Sequence, residues 1–416
     1  MNKIPKDLQF YKFSAYGFLK NLRFFETYLI LFFLEMGINY VQIGTLMAIR
    51  EVATHLLELP TGIIADCFGR KRSMIFSFIA YIISFLIFSF LPGFVYYILA
   101  MLFFAFGEAF RTGTHKAMIL SYLQLKGIED LKVHYYGYTR SASQLGSAIS
   151  SLIAMAMVFS QGSFRWIFLF SVLPYITDLL LMISYPNELD GEVSCGSEGM
   201  MGEMKDRLGE TFKNFLKLFT KEVTVRALLS SSVFNGLFKG TKDYLQPLIK
   251  NYALSLPLLV FLSGDQRSVI LIGLVYFILF FLTAYASRKS GYLVDQIKSL
   301  PLGINLSYVT GCVFLLLSGI FLKINFPIIS ILCFFLFYLL QSLKKPMNVS
   351  YISEQISSTI MATGLSGESQ LKHIFAAVYS FLMGLMVHYT GLGTSILLIS
   401  LLSIMVFPLV RIKEKI

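Results

Sequence analysis

Long apolar runs separated by short polar hinges occupy most of this chain. A helix needs about 20 mainly apolar residues to cross the hydrocarbon core of a bilayer. The pattern predicts twelve such spans, at 13–34, 41–64, 73–91, 94–118, 134–159, 165–185, 224–249, 268–287, 301–321, 325–343, 368–388 and 391–410. Between the sixth and the seventh the rhythm breaks. Residues 187–202 are rich in Gly, Glu and Ser; beyond them Met204, Leu208, Phe212, Phe215 and Phe219 recur at spacings of four and three. With Lys205, Arg207, Lys213 and Lys217 on the other faces, this segment predicts a basic amphipathic helix lying on a membrane surface. The stretch 253–263, apolar but short and holding Pro257, is expected to be an interfacial or re-entrant outer segment. The expected architecture is an all-α integral membrane protein with a six-helix bundle over 1–189, a linker with its amphipathic helix over 190–222, and a second six-helix bundle over 223–416.

Composition agrees with that pattern. The chain is 56% hydrophobic and 14% charged, whereas soluble domains carry about 25% charged residues. A net charge of +11 invites a nucleic-acid reading, but no basic module interleaved with aromatics is present. The cations fall instead on one side of the predicted spans. One face receives Lys3, Lys6, Lys12, the cluster at 70–72, Lys126, Lys132, the linker, Arg288, Lys289, Lys298, Lys344, Lys345, Lys372, Arg411, Lys413 and Lys415; the other keeps Arg165, Lys250, Arg267 and Lys323. By the positive-inside rule both termini are expected in the cytoplasm. Asp7 and Gln9 follow Lys3 and Lys6, so a cleaved signal peptide is not expected, and the first span serves as the insertion signal. Cys67, Cys195, Cys312 and Cys333 have no paired spacing, so neither a disulfide framework nor a zinc site is implied. No cofactor is expected.

The hinge between the second and third spans carries the densest chemistry, running Gly62-x-x-x-Asp66-x-x-Gly69-Arg70-Lys71-Arg72. Gly69 suits a tight turn with positive φ, and Gly62 suits close approach of another helix. Asp66 ends its helix where the dipole is negative, so it needs partners from elsewhere. This run resembles the signature loop between helices 2 and 3 of the major facilitator superfamily. The resemblance implies two six-helix halves working by alternating access. It also implies a gating role for Gly62, Asp66, Gly69, Arg70 and Arg72, with Asp66 meeting the hairpin arginines and the start of the eleventh helix near Ser366–Gln370. A weaker echo, Arg288 to Asp295, stands between the eighth and ninth spans.

A charge near the bilayer centre costs at least about 2.5 kcal/mol and is a functional candidate by default. Here the candidates are Arg23 and Glu26 in the first span, Arg50, Glu51 and His55 in the second, and Glu108 and Arg111 in the fourth. The fifth adds Arg140, and the seventh adds Lys239, Lys242 and Asp243. Lys20, Glu58, His115, Lys116 and Asp178 complete the buried charges. Spacing puts Glu51, His55 and Glu58 on one face, with Arg50 turned about a hundred degrees away. Arg23 with Glu26, Glu108 with Arg111, and Lys239 with Asp243 are three or four residues apart and can neutralise one another. Arg50, Arg140 and Lys242 have no evident partner in their own helices. The superfamily's cavity-lining helices are the first, second, fourth, fifth and seventh, where these charges concentrate. A cavity of Arg and Lys suits a carboxylate or phosphate. Glu26, Glu51, Glu108 and Asp243, with His55, are the candidates for proton coupling.

Two patterns depart from drug/proton antiporters of the superfamily. The fifth span reads Ser143-Gln144-Leu145-Gly146-Ser147-Ala148, close-packing but without the proline and glycine pair, and His115 follows Arg111 where a glycine is expected. Enzyme motifs are absent. The expected function is secondary active transport of a small anionic or zwitterionic organic solute, proton-coupled and leaning to export, by a monomer in the cytoplasmic (inner) membrane. Multidrug/proton antiport of lipophilic cations, or lipid flipping on the same fold, are the alternatives. Near the start of the eleventh span Ser366 is the expected N-cap with Glu368 in the first turn, and Lys372 and His373 are expected as solvated loop charges or hairpin contacts.

Overall fold

A computed structural model describes residues 6–190, 209, 222–253, 259–296, 299–355 and 361–413. The expected amphipathic helix of the linker and residues 254–258 of the expected outer segment lie outside the described residues. Fifteen α-helices and four short 3-10 turns make up the regular structure, with no strand among the described residues. The helices are α1 Leu8–Lys20, α2 Leu29–Glu35, α3 Tyr40–Phe68, α4 Arg70–Phe90, α5 Phe94–Arg111, α6 Thr114–Leu125, α7 Lys132–Gln161 and α8 Trp166–Ile183. They continue as α9 Glu222–Thr241, α10 Leu245–Tyr252, α11 Gly264–Gln296, α12 Leu300–Lys323, α13 Pro327–Gln355, α14 Met361–Thr390 and α15 Leu392–Val410. Nine helical stretches among the described residues are long and apolar enough to cross a membrane. The first, second and seventh predicted spans are helical too but fall outside that nine: the second is rich in charge, and the other two are interrupted.

Both interruptions occur at paired cations. In the first span α1 stops at Lys20; Asn21 turns back to donate to the Gly17 carbonyl at 2.7 Å, and a 3-10 turn over Phe24–Thr27 precedes α2. In the seventh, α9 stops at Thr241 and a 3-10 turn over Lys242–Tyr244 leads into α10. A broken helix frees carbonyls that lipid cannot satisfy. Each break finds a tyrosine: the Tyr175 hydroxyl donates to the Lys20 carbonyl at 3.1 Å, and the Tyr338 hydroxyl donates to the Lys242 carbonyl at 3.2 Å.

The chain forms two compact units. The first comprises Met1–Phe32, Ala53–Asp206 and Gly273–Phe281. In it α4 packs on α5 and α8, and α1 on α7 and α8. The small residues of the fifth span do the work expected of them. A Cβ on Gly17 would lie 2.8 Å from the Ser143 hydroxyl and from the Thr139 carbonyl, and Gly146 faces the Phe18 backbone just as closely. Phe25, Phe32, Tyr81, Phe85, Phe88, Tyr97, Phe104, Phe168 and Tyr175 form a continuous aromatic core with mainly edge-on and tilted contacts.

The second unit comprises Phe33–Val52, Arg207–Ile272 and Leu282–Ile416. Here α9 packs on α14, and α12 on α13 and α15. The α9–α14 crossing rests on Gly236 and Gly240, a small-xxx-small pair that lets two backbones meet. A Cβ at Gly236 would lie 2.6 Å from the Phe375 Cβ, and one at Gly240 2.7 Å from the Tyr379 Cβ. Gly236→Leu is therefore expected to force the helices apart and destabilise the protein by about 1–3 kcal/mol or more, read as a lower melting temperature. At the exposed end of α9, Glu222 accepts from Arg226 and Lys413; the lysine's hydrogen bond first, then the arginine's, holds this carboxyl below its ordinary range.

Candidate functional site: two charge clusters at broken helices

In the first unit Glu108 of α5 is clamped from both sides. Its Oε1 lies 2.6 Å from Arg23 Nη2, and its Oε2 pairs with Arg111 Nη2 one turn along α5. The break after α1 is what turns Arg23 toward α5. Its Nε donates to the Tyr175 hydroxyl at 3.1 Å, and its guanidinium lies over the Phe104 ring, 5.7 Å from the centroid. Arg111 Nε donates to the Tyr81 hydroxyl at 3.2 Å. Each phenol takes the Nε–H of its arginine while Glu108 takes Nη2, so the arginines are fixed in direction as well as charge. Around this clamp stand Lys20, Asp178 and His115, whose ring stacks on Tyr16 with centroids 3.6 Å apart and whose Nε2 is 3.4 Å from the Tyr185 hydroxyl.

The second unit has its own carboxylate hub. Glu51, 4% exposed, receives Arg50 Nη2 at 3.0 Å on Oε1, and both Lys239 Nζ and His373 Nδ1 at 2.8 Å on Oε2. Lys242 Nζ pairs with Asp243 Oδ1 at 2.9 Å in the 3-10 turn. Deeper in α14, Glu368 is 3% exposed, pairs with Lys372 at 2.7 Å and accepts from the Ser231 hydroxyl of α9. Lys344 of α13 is fully buried, with Nζ 3.5 Å from the Ser230 carbonyl and over the rings of Phe234 and Tyr308 at 4.4 and 4.7 Å.

Several expected pairings are replaced. Arg23 pairs with Glu108 across helices rather than with Glu26, because α1 ends before both of them and Arg23 becomes the cap of the 3-10 turn that carries Glu26, no longer part of one α-helix with it. Lys239 reaches Glu51 rather than Asp243, which the 3-10 turn hands to Lys242. Arg50, expected to lack an anion in its own helix, folds onto adjacent Glu51. The eleventh span was expected to begin near Ser366; α14 begins at Met361, so Glu368 and His373 lie two and more than three turns inside it. His373 is thus a half-buried helical partner of Glu51 and not a loop charge. Glu26 lies half-buried in the 3-10 turn, His55 and Glu58 half-buried on α3, and Arg140 exposed on α7.

The hairpin at 62–72 is held by contacts the spacing did not suggest. Gly69 has φ of +96°, as a tight turn requires. A Cβ there would lie 3.0 Å from the carboxylate of Asp190, which follows α8 and accepts from the Lys71 backbone amide at the start of α4. An anion at a helix N-terminus is favourable on both hydrogen-bond and dipole grounds. Lys71 Nζ donates to the Tyr185 carbonyl at 2.7 Å and to Asn187 at 3.0 Å, and Arg70 donates to the Ser121 hydroxyl at 2.6 Å. Arg72 is exposed. Gly62 has open space where a Cβ would stand, so no described helix makes the close approach expected there. The side chain of Asp66 lies outside the described residues.

The family model described as Major Facilitator Superfamily matches residues 18–367. The Bacillus subtilis (strain 168) protein YxaM, an uncharacterised MFS-type transporter, is 25% identical over 176 residues. That alignment covers 42% of this chain and 40% of the relative. Among solved structures, the nucleoside transporter NupG superposes with a TM-score of 0.74 at 13% identity, covering 98% of this chain and 100% of that one. A D-xylose-proton symporter gives 0.73 at 13% identity, with 97% and 98% covered. A POT family transporter in complex with 5-aminolevulinic acid gives 0.71 at 13%, with 97% and 93% covered. At such identities the likeness is one of fold. With five-sixths of its length matched by the family model, the chain belongs to the Major Facilitator Superfamily.

Proposed function

We propose that this transporter carries a small organic anion or zwitterion across the cytoplasmic membrane, coupled to protons, by alternating access between residues 1–189 and 223–416 with both termini inside. One observation carries the reading. The first and seventh segments both break beside cations three residues apart, Lys20 with Arg23 and Lys239 with Lys242, and in each a carboxylate from another helix pairs with one of the two, Glu108 with Arg23 and Glu51 with Lys239. Interrupted helices at corresponding places of two halves are where such transporters bind their solutes. A carboxylate or phosphate can take the place of Glu108 on one guanidinium fork, or of Glu51 on Lys239, without adding uncompensated charge. The symporter and the 5-aminolevulinic acid complex among the structural neighbours accord with this class of solute and coupling.

The test is a melting-shift screen of purified protein against organic anions, zwitterions and lipophilic cations. An anion at about a hundred times its Kd stabilises by about 2.7 kcal/mol. That shift is expected in the wild type and lost in Arg111→Met, which removes one arm of the clamp. Stabilisation by lipophilic cations alone contradicts the reading and restores multidrug transport.

A further inference from the structure

Asp178 stands apart from every other carboxylate in the two clusters. It lies in α8, is 0% exposed, and neither Oδ1 nor Oδ2 has a hydrogen-bond partner. Glu108 in the same unit has both oxygens on guanidinium groups, and Glu51 in the other has three side-chain partners, Arg50, Lys239 and His373. The surroundings of Asp178 are not apolar. Tyr16 and Lys20 of α1 stand near it, as do Arg111 of α5 and Tyr185 beyond the end of α8; Lys20 and Arg111 are close enough to act through their charge, and none of the four is within hydrogen-bond distance. Tyr81 of α4 and Arg23 of the 3-10 turn, on the other elements packed against α8, are committed to Arg111 and Glu108. Lys20 Nζ makes no hydrogen bond or ion pair among the described residues.

An ionised carboxylate sealed from water with no donor on either oxygen is a costly arrangement, and the larger part of that cost is removed when the group takes up one proton or contacts a cation. The two carboxylates of this unit therefore have different capacities. Protonating Glu108 would break two ion pairs and strand two arginines, whereas protonating Asp178 breaks nothing. We propose that Asp178 is the proton-carrying group of the first unit, distinct from the Glu108 clamp that meets the solute. The step is a simple protonation: water or hydronium delivers H⁺ to one Oδ, the carboxylate becomes a neutral carboxyl, and the reverse step returns H⁺ to water. The inference rests on the proton-coupled reading above and deepens it by naming the group.

Infrared titration of the full-length protein in liposomes, from about pH 5 to about pH 9, tests it without a known solute. A protonated carboxyl gives a C=O band that shifts in D₂O. The expected result is such a band at neutral pH, absent in Asp178→Asn, displaced but present in Asp178→Glu, and unchanged in Asp243→Asn. Asp178→Glu keeps a titratable group, so a folding defect in the Asn variant alone does not decide the matter. A band that survives Asp178→Asn and vanishes in Glu51→Gln overturns the assignment while leaving proton coupling intact. No protonated carboxyl anywhere in the range overturns both. A band abolished by added NaCl but not by KCl overturns the assignment in favour of a sodium site.

Discussion

Glu108→Ala is expected to be the most damaging single substitution in the first unit, at about 3–5 kcal/mol, because it leaves two partly buried guanidinium groups without their shared anion. The measurement is thermal or denaturant unfolding in detergent, with the tyrosine neighbourhood as an internal reference. Arg23→Met alone is expected to cost less, since Glu108 keeps Arg111. The triple replacement Arg23→Met, Glu108→Leu, Arg111→Met is expected to recover much of the lost stability, because well-packed apolar side chains can match a buried ion cluster. It should nevertheless abolish stabilisation by organic anions. That divergence matters: a cluster that existed only for packing would lose nothing functional when replaced by apolar groups of similar volume. If the triple variant still responds to anions, the clamp is not where the solute binds.

The second large effect is expected at Glu51. Glu51→Ala removes the carboxylate that Arg50, Lys239 and His373 share, so the loss should again be about 3–5 kcal/mol. The partners should rank below the hub. Lys239→Met leaves Glu51 with Arg50 and His373, and His373→Ala leaves it with two cations, so each is expected to cost about 1–3 kcal/mol. Melting temperatures of the three single variants check the order. An outcome in which Lys239→Met is worse than Glu51→Ala would mean that Lys239 has a more important partner than this carboxylate.

Much of the fold was legible along the chain. Apolar length located most of the segments that are helical among the described residues, because lipid leaves a spanning backbone no alternative to the helix. The tight turn at Gly69 and the close packing of the fifth span at Gly146 followed from residue type; its partner, α1 at Phe18, did not. What was not legible came from tertiary partners. No proline or local turn signal marks the break at Asn21; it is supported by Tyr175, more than a hundred and fifty residues away, and the break at Lys242 by Tyr338, ninety-six residues away. Once the helices break, spacing arguments built on an unbroken helix give the wrong ion pairs, which is why Arg23 and Lys239 were assigned to Glu26 and Asp243. Asp190 was missed as a helix cap because it lies beyond α8 while the helix it caps is α4. The Gly236–Gly240 pair was readable as a small-xxx-small crossing and went unused. His373 was misplaced for a simpler reason: Ser366 read as an N-cap, yet the helix begins at Met361 and runs straight through it.

The central claim is that the buried cations serve a small anionic or zwitterionic solute, and the most direct measurement needs no prior guess at its identity. Proteoliposomes loaded with a cell metabolite extract are placed in an imposed pH gradient, and the solutes that redistribute are read by mass spectrometry against protein-free liposomes. The account predicts redistribution of one or a few organic anions or zwitterions, dependent on the gradient and lost when Arg23, Glu108 and Arg111 are replaced together. Redistribution confined to lipophilic cations, or movement that ignores both the gradient and the triple replacement, would contradict it.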